Sequence, residues 1–254
     1  MSDHGPRFWA LFFAVFDALP RQGPGNRASA ARALAFCHDL PSAPAIVDLG
    51  CGGGGPTLQL AELVPDASIV ALDRHAPSIE RLRSAIAARG LEDRVRAVEG
   101  DMARPDLPSG RFDLVWSEGA LYSVGLPVAL RVCRDLLRPG GYLAFTEAVW
   151  RKADPPQEVR ALFAEDCPDM GRAADVVPIV RDGGFDLVGH FTLLDEVWWD
   201  DFYTPMEARI AELRREHADD DEALAILDEL AAEPELHRRH AAYYGYEFFV
   251  ARRR

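Results

Sequence analysis

The chain has 254 residues, enough for one large α/β domain or one domain with a cap, and 48% are hydrophobic, which supports a substantial core and excludes a disordered chain. Its net charge is −13, from 28 Lys+Arg against 41 Asp+Glu, so the basic footprint of a nucleic-acid binder is missing and the acidity says nothing about a substrate. Cys37, Cys51, Cys133 and Cys167 are scattered, with no Cys-x-x-Cys pair; this argues against a zinc ribbon or a dithiol centre and fits a reduced, cytoplasmic setting.

Residues 7–20 read as an aromatic-rich first helix. Its apolar run, Phe8 to Phe16, is too short to span a bilayer, and small cleavage-site residues do not follow it, so it reads as a buried amphipathic helix. Gly23-Pro24-Gly25-Asn26 has turn chemistry, and a second helix over Ala28 to Leu40 ends before Pro41 and Pro44. Next comes the strand Ile46-Val47-Asp48-Leu49. Five of the six residues from Gly50 to Gly55 are glycine, and Pro56 is placed for the first turn of a helix running to about Val64. Strands follow at Ser68 to Asp73, Val95 to Glu99, Phe112 to Trp116 and Tyr142 to Ala148, with helices over Ala76 to Arg89 and Pro127 to Leu137 between them. This alternation predicts a parallel sheet covered by helices on both faces.

The rhythm then changes. Pro155-Pro156 opens a helix to about Cys167, Arg172 to Asp182 forms another, and Phe185 to Leu194 is a sixth strand. Residues 196–240 read as several charged helices, and Tyr243 to Arg252 as a last strand. The expected organisation is 1–43, N-terminal helices forming part of a lid; 44–150, a nucleotide-binding core; 151–184, a lid helix and a core helix; and 185–254, the last two strands with a helical insert at 196–240.

The glycine loop satisfies two patterns. Gly50-x-Gly52-x-x-Gly55 fits the dinucleotide fingerprint. Asp48-x-Gly50-x-Gly52-x-Gly54 fits the acid-Gly-x-Gly-x-Gly pattern of class I S-adenosylmethionine methyltransferases. Asp73 at the tip of the second strand, Gly100-Asp101-Met102 after the third and Leu137-Arg138-Pro139-Gly140-Gly141 before the fifth favour the second pattern, and the chain resembles that family. Simple dehydrogenases instead begin with their glycine strand and carry a Tyr-x-x-x-Lys dyad, absent after the fourth strand here. The Arg21-Gln22-Gly23-Pro24-Gly25, Ser117-Glu118-Gly119-Ala120-Leu121-Tyr122 and Tyr243-Tyr244-Gly245-Tyr246 stretches resemble a poorly characterised bacterial subgroup regarded as small-molecule methyltransferases.

The resemblance implies a Rossmann-like, seven-stranded, mostly parallel sheet with an antiparallel last strand. It also implies S-adenosylmethionine as cofactor and S-adenosylhomocysteine as product. The implied cofactor residues are Asp48, Gly50, Cys51, Gly52, Asp73, Arg74, Asp101, Met102 and Ser117, with Asp73 placed to take the ribose hydroxyls and the loop amides suited to the cofactor's carboxylate. From placement alone, Glu118, Tyr122 and Glu147 are the catalytic candidates, and Trp150, Trp198, Trp199 and Tyr203 an apolar wall around the acceptor.

Blander roles compete at several of these positions. Glu118 can cap its own loop, Tyr122 can be packing, and one of the adjacent Trp198 and Trp199 is expected to face the core. His237-x-x-His240 reads as an exposed polar face rather than a metal site, His75 as a cofactor contact or a solvated loop residue, and His190 as a satisfied core or edge residue. The expected activity is methyl transfer to a small-molecule acceptor, without metal, nucleic acid or membrane. Protein methylation and non-catalytic cofactor binding are the alternatives, and the oligomeric state is open, a homodimer being one option.

Overall fold

The computed structural model describes residues 4–164 and 167–254. Seven strands form a single sheet: β1 (Ala45–Leu49), β2 (Ser68–Asp73), β3 (Val95–Glu99), β4 (Phe112–Ser117), β5 (Leu137–Trp150), β6 (Phe185–Thr192) and β7 (Tyr244–Arg253). Their spatial order is β3-β2-β1-β4-β5-β7-β6. The first five run parallel, and β7 lies antiparallel to both neighbours, as expected for the class. The order reverses between β1 and β4, and open α/β sheets place their ligands at the strand C-termini beside such a reversal.

Burial on both faces explains why β1 and β4 read as continuous apolar runs rather than alternating ones. On one face the core holds Ile46, Leu114, Trp116, Ala144 and Phe248; on the other it holds Val47, Val115, Leu143, Phe145 and Phe249. Helices α3 (Gly55–Leu63), α4 (Ala76–Ala88), α5 (Leu126–Leu136) and α7 (Ala173–Asp182) complete the layers, while α6 (Gln157–Phe163) follows β5. Three of the expected wall residues belong to the stretch between β6 and β7. This stretch contains the short helix α8 (Glu196–Trp198), a π-helical turn (Trp199–Tyr203), α9 (Thr204–Glu216) and α10 (Asp221–His240). The N-terminal helix α1 (Pro6–Phe16) packs on α9 and α10, and α2 (Arg27–Leu34) on α3 and β7.

The first two helices are shorter than their sequence suggests. Pro20 disfavours helical geometry at Leu19, and Asp17, which caps the first helix while still in helical geometry, bonds Arg81 (2.8 Å) and His75 (3.2 Å) on the neighbouring layer. Helix α2 opens on a reciprocal cap between Asn26 and Ser29, then stops early, and Phe36 beyond it lies against Gly189 of β6 and stacks on Phe191. The expected helix end at Cys167 follows residues 165–166, outside the described set.

Candidate functional site

The glycine loop between β1 and α3 is built from backbone that side chains would obstruct. Gly50, Gly52 and Gly54 have φ of 73°, 51° and 88°, a region that L-residues avoid. A Cβ on Gly50 would lie 2.3 Å from the Ala120 Cβ, and one on Gly52 2.1 Å from Gln22 Oε1. The loop therefore accepts close approach from β4's following segment on one side and the N-terminal segment on the other.

The amides of Gly50 to Gly54 are all engaged. Gly50 and Cys51 N–H donate to the Leu72 carbonyl (2.8 and 3.1 Å), Gly52 N–H to Asp73 Oδ2 (2.9 Å), Gly53 N–H to Gln22 Oε1 (3.3 Å) and Gly54 N–H to the Cys51 carbonyl (2.9 Å). The expectation that these amides stand ready for a ligand carboxylate needs correction: the fold itself uses them to shape the bend. Asp73 spans the bend, since its Oδ1 also accepts from His75 N–H (2.8 Å).

A cleft of roughly 240 Å³ opens over this loop. Gly50, Cys51, Gly52, Asp73, Arg74, Asp101 and Met102 line it, as do Glu118 and Tyr122. Asp48 and Ser117 do not. Asp48 lies beneath the loop, 1% exposed, where its Oδ2 accepts from Thr57 Oγ1 (2.6 Å), and burial pushes its carboxyl up to about 7. Ser117 is fully buried and donates to the Leu49 carbonyl (2.8 Å), fastening β4 to β1. Both brace the site from below, where strand tips lead inward rather than toward the opening. Cys51 lines the floor with its thiol pushed well above the ordinary range by burial, so it is no nucleophile.

Glu118 also differs from its expected role. Its side chain and that of Arg21 are each 3% exposed and form a buried ion pair at 2.5 Å, while Trp116 Nε1 donates to the other carboxylate oxygen (2.9 Å). Arg21 further donates to Gln59 Oε1 (2.8 Å). A carboxylate committed to two donors anchors the N-terminal segment across the end of β4 and is poorly placed to accept a substrate proton. Glu147, on β5, does not line the cleft; its Oε2 is buried without a hydrogen-bond partner among the described residues, and burial pushes its carboxyl up to about 8.

The expected aromatic wall lies elsewhere. Trp198 and Tyr203, 4% and 1% exposed, pack inside the β6–β7 insert. Trp198 stacks on His237 (4.3 Å) and Tyr246 (5.2 Å), and the Tyr203 hydroxyl donates to Glu233 (2.9 Å). Trp199 borders this cluster, edge-on to Tyr203 (5.4 Å) and beneath the Arg238 guanidinium (4.7 Å), and Trp150 meets Phe163 edge-on (5.6 Å). None of the four borders the cleft. Trp198 and Tyr203 fill the insert's own core, because a set of helices laid over a strand end needs apolar volume to hold it there. His237 is likewise interior, 1% exposed between the Tyr244 hydroxyl (3.1 Å) and Asp195 (3.0 Å), which corrects its reading as an exposed face. His75 stacks on Phe13 (3.8 Å) and bonds Asp17 rather than lining the cleft. His190, on edge strand β6, bonds Glu247. No group of three His, Cys, Asp or Glu suited to a metal ion occurs among the described residues.

Sequence reasoning missed the stretch Leu19 to Pro24, which forms the cleft wall facing the glycine loop. Its signal was present: an arginine and a glutamine followed by Gly-Pro-Gly between two helices. Gly25 at its end has φ 140° and no room for a Cβ, which would lie 2.6 Å from Arg21 Nη2. The last cleft wall, Gly119 to Val124 with its short 3-10 turn, is tied to β5 by Gly119 N–H donating to Thr146 Oγ1 (2.8 Å).

Residues 46–141 match the family model described as a methyltransferase domain. The chain is 26% identical to the sterol 24-C-methyltransferase erg6 of Aspergillus fumigatus over 59% of its own length and 42% of that protein's. It is 34% identical to the probable cobalt-precorrin-6B C(15)-methyltransferase (decarboxylating) of Methanothermobacter thermautotrophicus, over 48% of this chain and 62% of the other. The chain spans about two fifths of the length of the sterol methyltransferases it matches. In structure it is similar to a SAM-dependent methyltransferase from Geobacter sulfurreducens in complex with S-adenosyl-L-homocysteine, with a TM-score of 0.81 and 19% identity over 98% of this chain and 99% of that one. The matched stretch contains the glycine loop, the acid-tipped β2 and the strand reversal, so residues 46–141 form a methyltransferase domain, on the fold the chain shares with that S-adenosyl-L-homocysteine-bound neighbour.

Proposed function

We propose that this protein transfers a methyl group from S-adenosylmethionine to a small-molecule acceptor. One observation carries the reading: a single cleft brings the bare glycine loop, Asp73 and the Gly100-Asp101-Met102 turn to one end and the segment Gly119 to Val124 to the other. The first end fits the cofactor. Asp73 offers a carboxylate to paired hydroxyls and Met102 an apolar face. When bound, the cofactor supplies a methyl group already attached to a good leaving group, a sulfonium. What remains for the chain is to orient the two partners and exclude water, which can supply most of the acceleration.

The acceptor end is the side of Tyr122. Tyr246 adjoins it: its hydroxyl lies 3.5 Å from where a Gly119 Cβ would be. Burial, followed by the nearby Tyr122, Cys167, Glu147 and Glu233, holds that phenol well above its usual range, so it stays protonated and donates. Glu147 stays outside the cleft and is not placed to take a proton from the acceptor. Orientation rather than proton removal is the mode of catalysis we assign, with Tyr122 as the cleft residue facing the acceptor. Small-molecule names among the relatives, a sterol and a cobalt-precorrin, support this class of acceptor over protein.

The test is calorimetric titration with S-adenosylhomocysteine, followed by transfer of labelled methyl groups across panels of metabolites and unfolded proteins. Binding together with transfer to a small molecule supports the reading. Uptake of a nicotinamide dinucleotide alone, or labelling only of proteins, overturns it.

A further inference from the structure

The cofactor reading leaves one end of that ligand without a partner. With the amides of Gly50, Cys51, Gly52 and Gly54 bound to acceptors that shape the bend, these N–H groups have little to offer the carboxylate of the aminoacyl tail. The amide of Gly53 differs, because its acceptor is a side chain from another part of the chain, Gln22.

Gln22 is loosely held on a firmly held backbone. Its three hydrogen bonds are long: 3.3 Å from Gly53 N–H to Oε1, and 3.2 and 3.3 Å from Nε2 to the Phe16 carbonyl and Asp17 Oδ1. The flanking chain is fixed by the buried Arg21–Glu118 pair and by the Pro20 carbonyl, which lies 2.5 Å from where a Gly55 Cβ would be. The carboxamide rests directly on the bare backbone of Gly52 and lines the cleft. The Arg81 guanidinium is close by, with Nη2 3.2 Å from the position of a Gly53 Cβ, and is paired with Asp17, whose Oδ1 also accepts from Gln22.

Resting on the methyltransferase reading, we propose that Gln22 reads the aminoacyl end of the cofactor. Its carboxamide oxygen holds, on the Gly53 N–H, the place that the cofactor's carboxylate takes. A carboxylate makes a stronger, charge-assisted bond to that N–H than a carboxamide does, so exchange is favourable. The displaced carboxamide keeps both a donor and an acceptor, which matches a zwitterion carrying both a carboxylate and an ammonium. Neither Arg nor Glu at position 22 offers that pair.

The experiment compares two ligands by calorimetry on the full chain: S-adenosylhomocysteine and 5′-methylthioadenosine, the same nucleoside thioether without the aminoacyl group. The wild type is expected to prefer the former. Gln22→Glu, nearly isosteric, sets a second carboxylate against the ligand's own and is expected to weaken S-adenosylhomocysteine at least about tenfold, while 5′-methylthioadenosine stays within about twofold. Gln22→Ala is expected to reduce the preference as well. An unchanged ratio in both variants overturns the assignment, and so does an equal loss for both ligands, which would make Gln22 only a brace of the loop. A wild type that binds 5′-methylthioadenosine as tightly as S-adenosylhomocysteine also overturns it. A wild type that binds neither refutes the cofactor reading itself and this inference with it.

Discussion

The two halves of the sheet are finished by different means, the first at the cleft and the second beside it. On the β3-β2-β1 side the wall is mainly main chain: glycines at positive φ, with amides tied to Leu72, Asp73 and Cys51 within a few residues of the strand tips. On the β5-β7-β6 side, long side chains from distant segments meet. Trp198, His237 and Tyr246 stack together although as many as 48 positions separate the first from the last. A main-chain site tolerates almost no added atom yet needs few particular side chains. A side-chain site depends on partners whose loss strands buried charge or opens a cavity.

The largest expected effect lies where the two halves are joined. Glu118→Ala leaves the Arg21 guanidinium buried and unpaired, and should lower stability by about 3–5 kcal/mol in denaturant titration. Arg21→Ala should cost a similar amount, and the double variant much less than the sum. Additive losses would show that the pair does not couple the N-terminal segment to β4.

Gly50→Ala probes the main-chain side. The methyl group would meet the Ala120 Cβ at 2.3 Å and force φ 73° on an L-residue. A stability loss of about 2–4 kcal/mol is expected by chemical denaturation, with a roughly hundredfold weaker binding of S-adenosylhomocysteine. Near-native behaviour would mean that this half does not depend on bare backbone.

A smaller, pH-dependent effect belongs to the other half. The folded Glu147 carboxyl titrates near 8, above its ordinary value of 4.5, so the native state holds a proton that the unfolded chain has released. Stability conferred by the neutral acid is therefore complete below about pH 4.5 and declines as pH rises toward 8. Glu147→Gln should remove that decline, so that the variant gains steadily on the wild type between about pH 5 and about pH 8.5, read from denaturation midpoints. Asp48, pushed up to about 7, changes both proteins alike and cancels from the comparison. Parallel pH profiles would place Glu147 in a wetter setting.

This contrast also explains which features were legible in advance. The glycine loop, the acid at the tip of β2, the Gly-Asp-Met turn and the antiparallel last strand are local signals. Positive φ demands glycine, and strand burial demands apolar runs, so each announces itself within a few residues. Seven of the nine expected cofactor residues accordingly line the cleft. Asp48 and Ser117 were misplaced because adjacent strand residues point to opposite sides, and a loop sequence does not say which tip turns inward.

The catalytic and acceptor candidates depended on more than local pattern. Glu118 reads as an available carboxylate until Arg21, 97 positions earlier, is found against it. Trp198 and Tyr203 read as a substrate wall until the insert proves to need them for its own core. By itself the sequence determined the strand-and-helix order, the glycine bend and the cofactor end of the cleft, because these follow from backbone sterics and burial over short spans. Only the tertiary structure decided that Leu19 to Pro24 closes the cleft, that the loop amides are already engaged and that Gln22 rests on Gly53. Those facts depend on which distant polar groups meet, and a contact between segments leaves no local period from which it can be read.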